Sequence, residues 1–166
     1  SMRAYARRNG ADEELWGVVG LLHDMDYERH PDMDADDGHP RTAMRVLTER
    51  GVDPVIVRAI ASHADFMGVS RDSDMEKTLY AVDELSGFVL ACAYVRPQGI
   101  HGLTPKSVKK KLKQPSFAAA VNREDVTQGA ELLGVDFDEH ITIVIGALEE
   151  RADELGLNGS PAADSA

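Results

Sequence analysis

Apolar residues along this chain recur at three- and four-residue spacing, and no stretch alternates long enough to predict a strand. Residues 1–9 read as a helix with Met2, Tyr5 and Ala6 on one face, stopped at Gly10 by a left-handed cap. Asp12 reads as the N-cap of a second helix, with Glu13 and Glu14 where the helix dipole favours acids. Its apolar stripe is Leu15, Val18, Val19 and Leu22, and His23 lies at the edge of that stripe in the last turn. Residues 25–38 are acidic and irregular around Pro31, so Asp32, Asp34, Asp36 and Asp37 read as a solvated loop.

His39-Pro40 opens a third helix, with Pro at the first helical position and Ala43, Val46 and Leu47 on one face. Asp53-Pro54 opens a fourth, in which Ile56, Ile60 and His63 stand at i, i+4 and i+7. Ser73-x-x-Glu76 is a capping box for a long helix reaching about Val95 and stopped by Pro97. One stripe of that helix carries Leu79, Val82, Asp83 and Ser86. A short basic helix follows at 105–113, with Lys106, Lys109, Lys110, Lys111 and Lys113. Asn122 caps a helix ending at Gly134. Asp136-x-x-Glu139 caps the last helix, with Ile141, Val144, Ile145 and Leu148 inward, His140 off the stripe and exposed, and an end near Gly156. These elements make an all-α fold of seven or eight helices, one domain over 1–157, followed by a disordered polar tail at 158–166.

Composition agrees with a globular domain. The 166 residues are 43% hydrophobic and suffice for a proper core. The net charge of −11 opposes broad binding to a nucleic-acid polymer, yet leaves room for a small phosphate-bearing ligand at a metal or a local basic patch. The one cysteine, Cys92, sits in an apolar helical run and reads as a core residue rather than a reactive thiol. No run approaches the ~20 apolar residues needed to cross a bilayer, and no leader is visible, so a cytoplasmic location is expected. The oligomeric state is left open.

Candidate chemistry lies in four segments. Gly20-Leu21-Leu22-His23-Asp24 ends an apolar helix in a His-Asp pair, and His39, His63 and Asp83 follow on later elements. A lone His on an apolar stripe is more often a hydrogen-bonded core residue than a ligand, and a buried Asp often caps a helix or pairs with Arg. Their joint arrangement points further, because each lies on or beside the inward face of a different helix. An unpaired carboxylate at Asp83 on an otherwise buried face needs a cation, a donor or a proton. A mixed His/Asp set suits manganese, iron, zinc, cobalt or nickel. Such an ion lowers the pKa of bound water and polarises a phosphoryl oxygen. The lysine cluster reads either as a solvated helix face or as an attractor for substrate phosphate through Lys109 and Lys110. Tyr27 and His30, just after the pair, read equally as substrate contacts or as loop packing. His101 and His140 have no such neighbours in sequence.

These residues carry a resemblance. Gly20-Leu21-Leu22-His23-Asp24 with His63 and Asp83 resembles the HD-domain superfamily of metal-dependent phosphohydrolases, over nearly the whole chain. The run Leu-Leu-His-Asp-x-Asp-Tyr-Glu-x-His-Pro is similar to a subgroup of small, largely uncharacterised bacterial members, as are Asp83-Glu84-Leu85, residues 107–111 and residues 117–124. The resemblance implies an all-helical bundle binding one or two divalent ions. It makes His23, Asp24 and Asp83 ligands, with Asp24 the catalytic carboxylate that bridges to a second ion held by His39 and His63. The implied reaction is hydrolysis of a phosphomonoester or phosphodiester, of a nucleotide or related small molecule. The family's first His normally lies on a helix before the pair, whereas no His precedes His23. The uncapped start of the first helix suggests a shortened helix and weakened metal affinity. A noncatalytic binding or scaffold module with a degenerate site is the alternative.

Overall fold

A computed structural model describes residues 1–159. Among them are nine α-helices and no strand: α1 (Met2–Asn9), α2 (Glu13–Leu22), α3 (Arg41–Glu49), α4 (Pro54–His63), α5 (Asp74–Tyr94), α6 (Pro105–Leu112), α7 (Arg123–Leu133), α8 (Phe137–Glu149) and α9 (Ala152–Leu155). A 3-10 turn at Asp65–Met67 follows α4. No helix of the described residues is long and apolar enough to cross a membrane. The chain divides into two compact units, Met2–Tyr80 and, with Ser1, the residues from Ala81 on, and the division falls within α5.

In the first unit α1 packs on α2, α2 on α4, and α3 on α4. Gly20 allows the first of these contacts, because a Cβ there would stand 2.8 Å from Met2 Cγ. Asp12 caps α2 by accepting from the Glu14 and Leu15 N–H groups, and Asp53 caps α4 by accepting from Val55 N–H. The inward face of α2 is turned from the predicted stripe. Trp16 and Val19 are buried, whereas Val18 is 36% exposed and Leu15 only half-buried. Burying the large indole removes more apolar surface than burying Val18, so Trp16 sets the rotation. The true stripe is Trp16, Val19 and His23, at i, i+3 and i+7, which puts His23 on the inward face rather than at its edge.

Helix α3 begins at Arg41, one residue later than predicted, with Pro40 as an N-cap that offers no side-chain acceptor. The Ser73–Glu76 capping box forms as expected: Ser73 N–H donates to Glu76 Oε2 at 2.8 Å and Glu76 N–H to Ser73 Oγ at 3.3 Å. Asp72 N–H and the Arg58 guanidinium also reach the Glu76 carboxylate.

In the second unit α6, α7 and α9 pack on α8. Val108 is the buried residue of α6, and α7 comes close to α5 at Gly129. Two expectations for α8 need correction. The helix ends at Glu149, and the short α9 follows, closed by Gly156 in the left-handed region. His140 is fully buried, not exposed: it lies one helical turn before Val144 and donates Nε2–H to the Ala81 carbonyl at 3.0 Å. A histidine whose polar edge finds a backbone acceptor is as acceptable on a buried face as an apolar residue. Of the expected tail, residues 160–166 lie outside the described residues, and Asn158 donates to Asp153 at 2.5 Å.

Candidate metal centre

Three histidines and one aspartate meet where α2 and α4 end and α3 begins. His23 is the C-cap of α2, His63 the last residue of α4, and His39 stands just before α3. Asp24 follows His23, and its two oxygens face different partners. Oδ2 is 3.4 Å from His23 Nε2, and Oδ1 is 3.4 Å from His39 Nε2 and 3.8 Å from His63 Nε2. His39 and His63 are buried, whereas the Asp24 side chain is 48% exposed. An open cleft of about 660 Å³, lined by Asp24, Met25, Tyr27, Glu28 and Arg29, runs past that carboxylate.

The three imidazoles are held alike at one edge. Nδ1 of His23 lies 2.9 Å from the Gly20 carbonyl, Nδ1 of His63 lies 2.5 Å from the Ile60 carbonyl, and Nδ1 of His39 lies 2.7 Å from Asp26 Oδ1. Each partner only accepts, so each Nδ1 acts as the donor, and in a neutral ring Nε2 is the nitrogen that carries the lone pair. Yet His39 Nε2 and His63 Nε2 are 3.1 Å apart. Two lone pairs at that distance repel unless a proton or a cation lies between them.

A divalent ion satisfies this donor set. Asp24, His39 and His63 each offer an atom, all within 4.8 Å of one another. Bonds of 2.0–2.1 Å in a tetrahedral site put ligand atoms roughly 3.4 Å apart, and the observed 3.1, 3.4 and 3.8 Å bracket that value. Imidazole nitrogen with carboxylate oxygen is a borderline set, suited to manganese, iron, zinc, cobalt or nickel. Anchored Nδ1–H groups are the usual support of metal-ligating histidines.

The remaining predicted residues are distributed as follows. Asp83 is a half-buried residue of α5, past the division between the units. Tyr27, 45% exposed, lines the cleft and meets the His39 ring edge-on, with centroids 5.4 Å apart. His30 Nδ1 lies 3.5 Å from Asp37 Oδ2, and its carbonyl accepts from His39 N–H at 2.8 Å. Lys109 pairs with Asp138 at 2.5 Å, and Lys110 is exposed on α6. Asp32, Asp34, Asp36 and Asp37 are exposed, as a solvated loop requires.

One residue of the centre escapes sequence reading. Asp26 sits in the acidic loop, where its neighbours are solvated, yet it is only 4% exposed. The Asp-x-Asp spacing after His23 was its available signal. Away from the centre, burial lowers the pKa of His140 and raises that of Cys92 to about 11. His101, without company in sequence, contacts Asn158 and Glu149 through its two ring nitrogens, which raises its pKa.

A family model described as HD domain matches residues 2–87, just over half of the chain, and that span includes every predicted metal ligand. No significant match is found among curated proteins or among solved structures. The all-helical architecture agrees with the matched family. The chain belongs to the HD-domain family, whose members are commonly metal-dependent phosphohydrolases.

Proposed function

We propose that the protein is a metal-dependent hydrolase of phosphomonoesters or phosphodiesters, acting on a nucleotide or a related small molecule. The convergence of three Nε2 atoms on the two oxygens of Asp24 supports this reading most strongly. His39 and His63 would hold one ion through Nε2, with Asp24 completing that side. His23 and Asp24 would belong to a second ion, a set to which the family resemblance adds Asp83. A divalent ion there supplies Lewis acidity toward a phosphoryl oxygen and a water of lowered pKa.

The residues of the chain do the rest. Asp24, half-exposed at the cleft, orients the reacting groups. Buried His39 and His63 keep bulk water from the inner side of the centre. Tyr27 and His30 are proposed substrate contacts beside the pair. Lys110 remains a candidate for the phosphate, while Lys109 must first leave Asp138.

Metal analysis of protein purified without chelator, followed by manganese titration and assays on nitrophenyl mono- and diesters, tests this reading. Bound or acquired metal with hydrolysis is expected, and Asp24→Asn should lower turnover on the order of 10²–10⁴-fold. Protein that neither carries nor acquires a divalent ion overturns it. Metal uptake without turnover favours the noncatalytic module.

A further inference from the structure

The histidines of the centre are anchored by two different devices. His23 and His63 each donate Nδ1–H to the carbonyl three residues back in their own helix, at 2.9 and 2.5 Å. His39 precedes α3 and has no helical carbonyl behind it. A side chain from the preceding loop substitutes: Asp26 Oδ1 takes its Nδ1–H at 2.7 Å. The other oxygen, Oδ2, accepts from the Ala43 N–H at 2.7 Å. Ala43 is the third residue of α3, and its N–H is one of the donors that a helix start leaves without an intrahelical partner. Pro40, the N-cap, offers no side-chain acceptor for it. One buried carboxylate therefore caps α3 from 17 residues upstream and holds a histidine of the centre.

We propose that Asp26 is a positioning residue that sets the tautomer and orientation of His39. This rests on the reading of the site as a metal centre. A carboxylate only accepts, so His39 keeps a proton on Nδ1, and its neutral ring turns an unprotonated Nε2 toward Asp24 and His63. Because Oδ2 is clamped to the first turn of α3, the ring is tied to that helix and not to the exposed acidic loop.

Asp26→Asn separates the two roles. The amide oxygen continues to accept from Ala43 N–H, which leaves the NH₂ group facing His39 Nδ1. That pairing requires the proton on Nε2, so the ring keeps its place and loses its ligand lone pair. The test is nitrogen-15 NMR of the histidine rings in metal-free protein, with manganese titration of the same samples. Wild type should show His39 protonated at Nδ1 and Asp26→Asn at Nε2, with similar thermal midpoints. Manganese affinity at the His39–His63 side should fall about 10–100-fold. A wild-type His39 protonated at Nε2 overturns the proposal. So does an unchanged tautomer in Asp26→Asn, or a changed tautomer with unchanged affinity. If wild type binds no manganese but the tautomers differ as expected, Asp26 still positions His39 and the metal reading alone fails. Should Asp26→Asn not fold, the wild-type tautomer decides the question.

Discussion

His39 and His63, 24 residues apart in sequence, face each other through Nε2 atoms at 3.1 Å, and each ring donates Nδ1–H to an acceptor at the opposite edge. With both rings neutral, neither Nε2 can donate to the other, and their lone pairs repel. A cation shared by the two would turn that repulsion into attraction.

Metal should therefore stabilise the fold. Manganese at 100 times its dissociation constant is expected to add about 2.7 kcal/mol to the unfolding free energy, by mass action on the native state. In the His39→Gln/His63→Gln double variant most of that increment should vanish. Thermal melts with and without chelator measure it, and an equal metal-induced rise in both proteins would count against the site.

Glu76 is a second concentrated point of stability. Its buried carboxylate accepts from Asp72 N–H and Ser73 N–H, each at 2.8 Å, and pairs with Arg58. Alanine leaves two helix-start donors and a guanidinium short of a partner, so a loss of about 2–4 kcal/mol is expected in urea unfolding. Glutamine keeps an acceptor and should cost less.

Two helical glycines should respond oppositely to alanine. A Cβ on Gly129 would stand 2.6 Å from Ala81 Cα, which is backbone and yields little. Overpacking of roughly 1–3 kcal/mol should outweigh the ~1 kcal/mol gain in helix propensity. Gly146 has nothing within 4 Å of such a Cβ, so Gly146→Ala should stabilise by about 0.5–1 kcal/mol. Chemical denaturation of both variants beside wild type checks the two signs.

Acid should weaken the fold through His140. Burial holds its folded pKa below the ordinary histidine value of 6.5, so the unfolded chain takes up the proton first. Its stabilising contribution is complete above pH 6.5 and is lost as the pH falls through the folded value. The slope from one such proton is at most about 1.4 kcal/mol per pH unit. His140→Gln should show a shallower fall in unfolding free energy between pH 7 and roughly 5, whatever its absolute stability.

Helix identity was legible because it is local. Asp12, Asp53, Asn122 and Asp136 cap the helices their positions predict, and the Ser73–Glu76 box forms. The rotation of each helix was less legible. Val18 and Trp16 compete for one face of α2, and His140 needs an acceptor on a different element to be buried; both outcomes depend on what packs opposite.

Of the centre itself, the sequence alone determined the candidate residues and their rough placement: His23-Asp24 at a helix end, His39 before a helix start, and His63 on an inward stripe. Only the tertiary structure decided that Asp24 turns one oxygen to His23 and the other to His39 and His63. It also singled out Asp26 among several acids in one loop. The reason is physical. Residue spacing along a helix fixes which face a side chain occupies, whereas burial of a loop carboxylate and the proton position on an imidazole depend on partners brought from distant segments.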